Sequence, residues 1–77
     1  MAYDKYTFAH RLKVARVDAR MNQEELAKAS GVNVNGIARY ELGETTPGLD
    51  KAAKLARTLG VTIDYLCGLT DERKSLA

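Results

Sequence analysis

The feature that most constrains this chain is a pair of helix signals separated by a single glycine. Asn22 can cap a helix N-terminus, and Glu25, three residues later, completes a capping box. Gly31 can take the left-handed conformation that ends a helix. A second helix begins at once, because Asn33 is again a typical N-cap residue and Gly43 provides the next stop. The sequence therefore predicts two short helices that meet across a sharp turn.

Three further helices are predicted from the spacing of apolar residues. The first helix of the chain carries an apolar stripe that should face the core, formed by Phe8, Leu12, Ala15 and Ala19. The fourth helix, residues 49–59, has a second stripe that consists of Leu49, Ala52, Leu55, Ala56 and Leu59. A short fifth helix begins at Thr62 and ends near Gly68. The prediction is an all-α fold of five helices, in which helices two and three form a helix-turn-helix.

Length and composition limit the class of protein. The 77 residues suffice for one domain, expected to have a core of about residues 6–69 and a flexible tail over residues 70–77. No apolar run approaches the roughly 18 residues that would span a membrane, and the start lacks the apolar stretch of a signal peptide. A single cysteine, Cys67, cannot form an internal disulfide, which agrees with a reducing compartment. We expect a cytoplasmic protein with no membrane partner.

Residues typical of catalysis are missing from the sequence. The only histidine, His10, lies on the first helix, and the sequence has no Ser/His/Asp or Cys/His set, metal-ligand cluster or phosphate loop. We interpret His10 as a solvated helix residue and Cys67 as a small packing residue. We therefore expect a protein that is not an enzyme and has no metal, cofactor or small-molecule substrate.

The third helix has one face available for function. Ile37 and Tyr40 point inward on a helical wheel. The opposite face carries Asn35, Ala38, Arg39 and Leu42. Asn35 and Arg39 are one turn apart, and their side-chain types make paired hydrogen bonds to adenine and guanine in the major groove, while Val34 can contact a thymine methyl group. On an arbitrary helix both residues would merely be solvated, but the preceding helix and turn favour base contacts.

Two interactions are expected beside this helix. Gln23 begins helix two, where free backbone N–H groups and the helix dipole can hold a phosphate with help from its amide. The alternative is that Gln23 is simply a first helical residue. Glu41 lies beside the core and would be costly unpaired, so Arg16, at the edge of the first helix's stripe, is its expected structural partner.

The run NQEELAKASGVNVNGIARYELGETTP, followed by LAxxLGVTIDYL, resembles the lambda-repressor and Cro-like helix-turn-helix family, also called XRE-like. The match covers about residues 8–66. Its most specific positions are Gln23, Leu26, Ala27, Gly31, Val32, Ile37, Glu41, Gly43, Pro47, Leu55, Ala56, Leu59, Gly60, Val61 and Leu66. The resemblance implies a five-helix fold with helix 34–42 in the major groove of double-stranded DNA, Gln23 on a phosphate, and Arg16 bridged to Glu41.

Further contacts are expected with the DNA backbone and with a second copy of the chain. We expect the DNA backbone to contact Asn22, Gln23, Asn33, Gly36 and Thr45. One such module buries only about 600–1,000 Å² on DNA, so a homodimer on two-fold operators with half-sites about 34 Å apart is expected. The family often uses its C-terminal part for this contact, which here indicates Ile63, Tyr65, Cys67 and Leu69. From the sequence alone, these four residues could equally be core.

Three positions depart from the family pattern. Arg20 stands where many relatives have a glycine that ends helix one, which leaves the shape of that turn open. Glu44 stands where relatives often carry a basic residue for the DNA backbone, and Gly36 where they often have a small hydroxyl residue. Gly36 is unfavourable in a helix interior by about 0.5–1 kcal/mol relative to alanine, and we expect it to permit close approach to DNA.

The function favoured by these patterns is sequence-specific DNA-binding transcriptional regulation, with repression as the expected effect. Up to Arg20 the chain has five Lys or Arg against two Asp, so basic surface should lie mainly on the first helix. The net charge of only +2 leaves open an alternative, an antitoxin-like or other protein-interaction module on the same fold.

Overall fold

The computed structural model describes residues 4–74, which contain five α-helices and no strand. The helices are α1 (Lys5–Asp18), α2 (Gln23–Ser30), α3 (Val34–Glu41), α4 (Leu49–Leu59) and α5 (Ile63–Cys67). The predicted all-α fold of five helices is thus confirmed. Across these same residues, no helix is long and apolar enough to cross a membrane. The end of the predicted tail, residues 75–77, lies outside the described residues.

Local hydrogen bonds set the ends of α2 and α3. The Asn22 side chain accepts from the backbone N–H of Glu25, and the Glu25 carboxylate accepts from the N–H of Asn22, both at 2.8 Å. Gly31 ends α2 in the left-handed conformation, with φ of 78°. The side chain of Asn33 then caps α3 by accepting from the N–H of Asn35 at 2.8 Å. Only residues 31–33 therefore separate the two helices.

The core receives at least one fully buried side chain from every helix. These side chains are Phe8, Leu12, Leu26, Ile37, Leu55 and Leu66. Ala15, Ala52 and Ala56, which the stripes also assign to the core, are buried, and Leu59 packs against the core from its edge. Small alanines on α1 and α4 allow neighbouring helices to approach closely. The buried core is otherwise aliphatic, apart from the aromatic rings of Phe8 and Tyr40.

The prediction is wrong for two residues of the apolar stripes. Ala19 follows the last residue of α1 and is exposed. Leu49 is the first residue of α4 and is 76% exposed. Both lie at helix ends, and helical periodicity gives the direction of a side chain without showing whether another element extends far enough to cover it.

The turn between α1 and α2 is formed by Arg20 in the left-handed conformation, with φ of 59°. Within residues 4–74 it is the one non-glycine residue with a positive φ. The N–H of Arg20 donates to the carbonyl oxygen of Val17 at 2.9 Å, and the N–H of Met21 donates to the carbonyl oxygen of Arg16 at 3.2 Å. These bonds end α1 in the same way as a left-handed glycine ends a helix. The turn therefore has the shape that a glycine would give it, but the left-handed conformation of an arginine strains the backbone.

The segment after α5 lies against α1, where the sequence predicts a flexible tail. Arg11 forms an ion pair with Asp71 at 2.8 Å, and Arg73 forms one with Asp18 at the same distance. The backbone oxygen of Arg73 also accepts from the N–H of Thr62 at 2.9 Å. The side-chain partners are more than 50 positions apart, so no local pattern reveals these contacts.

Candidate nucleic-acid interface

The third helix buries one side and exposes the other. Ile37 is fully buried and Tyr40 is 6% exposed, whereas Asn35 and Arg39 are exposed. The Arg39 side chain is 63% exposed. Leu42, at the end of the same outward face, is 68% exposed. The structure therefore presents the two polar side chains, one helical turn apart, on a surface open to a partner.

Val34 and Gly36 flank these side chains and are half-buried. Val34 lies in two shallow clefts at the start of α3, one beside Lys28 and one beside Gln23. A Cβ atom added at Gly36 would lie 3.5 Å from the Tyr40 hydroxyl oxygen, an ordinary van der Waals distance. The interior of the protein thus does not require glycine at this position.

The residues expected to contact the DNA backbone lie at two helix N-termini and in the loop after α3. Asn22 and Asn33 each use the side-chain oxygen to cap a helix. Among the described residues neither amide nitrogen has an acceptor, so both remain available as donors. Thr45 is half-buried in the loop between α3 and α4.

A buried ion pair joins α1 to α3. Arg16 donates from Nε to Glu41 Oε2 at 2.6 Å and from Nη2 to Oε1 at 3.0 Å, which brings together the two residues that the sequence pairs. Their side chains are only 12% and 4% exposed. The hydrogen bond to Glu41 raises the pKa of the Arg16 guanidinium, while burial acts in the opposite direction. Arg16 Nη1 also donates to the carbonyl oxygen of Met21 at 2.9 Å, so the pair anchors the turn into α2.

Gln23 is connected to this ion pair, a contact that the sequence did not indicate. Its Nε2 donates to Glu41 Oε1 at 3.2 Å. The hydrogen bond ties the first residue of α2 to the last residue of α3. The position of the Gln23 amide therefore depends on Glu41 as well as on its own helix.

Arg39 also has a neighbour that the sequence did not pair with it. Its Nε lies 3.6 Å from Glu44 Oε1. The chain turns back after α3, so that the N–H of Glu44 donates to the Arg39 carbonyl oxygen at 3.1 Å. A spacing of five residues gives no helical pairing signal, and the contact depends on the left-handed turn at Gly43.

The four candidate dimer residues combine core packing with exposure. Ile63, Tyr65 and Cys67 are half-buried and pack against the core, whereas Leu69 is 56% exposed. The guanidinium of Arg11 lies 4.5 Å from the centre of the Tyr65 ring. Burial raises the pKa of the Cys67 thiol, and a nearby carboxylate adds to this effect.

Within the described part, His10 stands apart from any metal-binding cluster of side chains. His10 is exposed on α1. No group of three or more His, Cys, Asp or Glu side chains within residues 4–74 could hold a metal ion. The features that stand out on this surface are therefore the outward face of α3 and the two helix N-termini beside it.

Comparison with known proteins agrees with this geometry. The family model described as helix-turn-helix matches residues 12–66, from the first helix to the end of the core. This chain belongs to the XRE-like helix-turn-helix family. Within that family, α2 and α3 form the helix-turn-helix.

Several regulators are similar to this XRE-like protein. YobD of Bacillus subtilis (strain 168), an uncharacterized HTH-type transcriptional regulator, is 36% identical over 75 residues, which cover 90% of this chain and 67% of YobD. The SPbeta prophage-derived uncharacterized HTH-type transcriptional regulator YonR of the same strain is 36% identical over 59 residues, or 77% of this chain and 55% of YonR. The cryptic phage CTXphi transcriptional repressor RstR of Vibrio cholerae is 39% identical over 59 residues, or 77% of this chain and 53% of RstR. This chain thus spans between about half and two thirds of these relatives.

Proposed function

We propose that this protein binds operator DNA sequence-specifically as a homodimer, with α3 in the major groove, and acts as a repressor. The observation that carries the proposal is the exposure of Asn35 and Arg39, one turn apart, on a helix held by a buried ion pair. The similarity to RstR, which is named a transcriptional repressor, supports the direction of the effect.

Base recognition is assigned to three residues of α3. The Asn35 amide pairs with an adenine edge, and the Arg39 guanidinium pairs with O6 and N7 of a guanine. Val34, at the N-terminal end of the helix, contacts a thymine methyl group. The N-terminal residues of a recognition helix are those that approach the bases most closely, which fits Val34 and Asn35. Arg39 lies in the last turn of α3 and reaches a base through its longer side chain.

Phosphate contacts are assigned to the helix N-termini. The Gln23 amide nitrogen has two hydrogens, of which one is used on Glu41, so the other can donate to a phosphate. The positive end of the α2 dipole favours the same anion. Asn22 and Asn33 add their free amide hydrogens, and Thr45 adds its hydroxyl.

Gly36 gives the DNA backbone room to approach α3. The protein interior tolerates a Cβ atom at this position, so the absence of a side chain is better explained by a partner outside the fold.

Dimerisation is assigned to the C-terminal part of the domain. The exposed Leu69 and the outer sides of Ile63, Tyr65 and Cys67 form the proposed contact. A two-fold arrangement would place two recognition helices in successive major grooves, about 34 Å apart.

The test begins with selection of bound sequences from a random DNA pool. If the protein binds as a dimer, the selected sequences should contain two half-sites about 34 Å apart. Arg39→Ala should then cost about 1–3 kcal/mol on the selected site and relax the preference at one base pair. Gln23→Ala should weaken binding to all sequences to the same extent. Equal losses on every sequence for Arg39→Ala would contradict the base-reading role. An antitoxin-like module would instead retain its protein partner with either variant.

A further inference from the structure

The guanidinium assigned to base recognition has a carboxylate beside it. Glu44 Oε1 lies 3.6 Å from Arg39 Nε, which is close enough for an ion pair and too long for a hydrogen bond. The backbone holds the two residues in register, since the Glu44 N–H donates to the Arg39 carbonyl oxygen at 3.1 Å. Gly43 makes this return possible, with φ of 75°.

The contact occupies only one edge of the guanidinium. Glu44 faces Nε, while the two terminal nitrogens of Arg39 have no acceptor anywhere in residues 4–74. These two nitrogens form a planar fork that can donate in parallel to two acceptors. A guanine presents such a pair, O6 and N7, in the major groove. The carboxylate therefore restrains the arginine at the edge that this end-on contact does not need.

The same carboxylate opposes binding to the DNA backbone. Both side chains are more than half exposed, so their attraction is weak in the free protein. When DNA binding excludes water, the attraction between Glu44 and Arg39 becomes stronger. The negative charge of Glu44 also repels nearby phosphates. An arginine is otherwise free to bind any phosphate, since its long side chain has many rotamers. A carboxylate at this position thus weakens binding in general and favours the complex in which Arg39 meets a guanine.

We propose that Glu44 is a positioning residue that directs Arg39 to one guanine and reduces affinity for DNA that lacks it. The proposal rests on the proposed function, because it assumes that Arg39 reads a base.

The experiment compares Glu44→Gln with Glu24→Gln. Glu24 is exposed in the first turn of α2, and its side chain has no partner among the described residues, so this variant removes the same charge away from Arg39. Binding of each protein is measured by fluorescence anisotropy on the selected site, on sites with one base pair changed, and on unrelated DNA. The wild-type protein should lose about 5- to 160-fold in affinity when the guanine read by Arg39 is replaced.

The Glu44→Gln variant should bind unrelated DNA more tightly than the wild type. When the guanine read by Arg39 is replaced, its loss of affinity should be at least about threefold smaller than the loss of the wild type. Discrimination at the other base pairs should not change. Glu24→Gln should leave discrimination unchanged at every base pair. In an Arg39→Ala background, Glu44→Gln should no longer affect discrimination.

Two results would overturn the proposal in distinguishable ways. If Arg39→Ala relaxes one base pair but Glu44→Gln leaves its discrimination as in the wild type, the positioning role fails and the proposed function stands. If Arg39→Ala relaxes no base pair, the base-reading role fails, and the role of Glu44 fails with it.

Discussion

Removal of the buried Glu41 carboxylate should destabilise the domain severely. This carboxylate accepts three hydrogen bonds, two from Arg16 and one from Gln23, and its side chain is 4% exposed. Glu41→Leu would leave the Arg16 guanidinium, itself only 12% exposed, with the Met21 carbonyl oxygen as its remaining partner. Breaking a buried pair in this way typically costs about 3–5 kcal/mol, because a charge stays buried without compensation.

That loss is large compared with the total stability expected for a chain of this length. At about 0.05–0.15 kcal/mol per residue, 77 residues give a free energy of unfolding of about 4–12 kcal/mol. A domain of this size loses about 4–8 °C in Tm per kcal/mol, so the variant should melt at least about 12 °C below the wild type.

The assay is urea denaturation followed by far-ultraviolet circular dichroism, analysed by linear extrapolation. The double variant Arg16→Met/Glu41→Leu should be more stable than Glu41→Leu alone by at least about 2 kcal/mol, because neither charge remains buried. As a control, Glu44→Gln removes an exposed carboxylate near the end of the same helix and should change stability by less than about 0.5 kcal/mol. A loss under about 1 kcal/mol for Glu41→Leu, or additive losses in the double variant, would refute this account of the pair.

Three further perturbations test other parts of the structure. Arg20→Gly should raise the free energy of unfolding by about 0.5–1 kcal/mol, because relief of left-handed strain exceeds the added flexibility of the unfolded chain; an unchanged or lower midpoint in urea would contradict this. Gly43→Ala should be more destabilising than Gly31→Ala, since both have positive φ but only at Gly43 would a Cβ atom come within 2.8 Å of the Tyr6 ring; equal losses on thermal melting would argue against that close contact. Cys67 should react with a thiol reagent at pH 8 more slowly in the folded protein than in urea, because burial raises the thiol pKa and the thiolate is the reactive form; equal rates would indicate an exposed thiol.

The ends of α2 and the inward side of α3 could be predicted because their causes are local. The capping box joins Asn22 to Glu25 within three residues, and Gly31 needs only its own φ to stop the helix. The burial of Ile37 beside the exposure of Arg39 follows from helical periodicity and an apolar partner surface. For the same reason, the helix-turn-helix and the side chains that it presents were already visible in the sequence.

Other features required the packed helices. Gln23 meets Glu41 across 18 positions, and Arg11 meets Asp71 across 60, so neither contact has a local signal. Leu49 shows the reverse case, in which the pattern is apolar but the side chain stays 76% exposed within residues 4–74. The sequence alone determined where α2 begins and ends and which side of α3 points inward, since those depend on bonds and spacings within a few residues. Only the tertiary structure decided which of those side chains meet, because that depends on how distant helices come together.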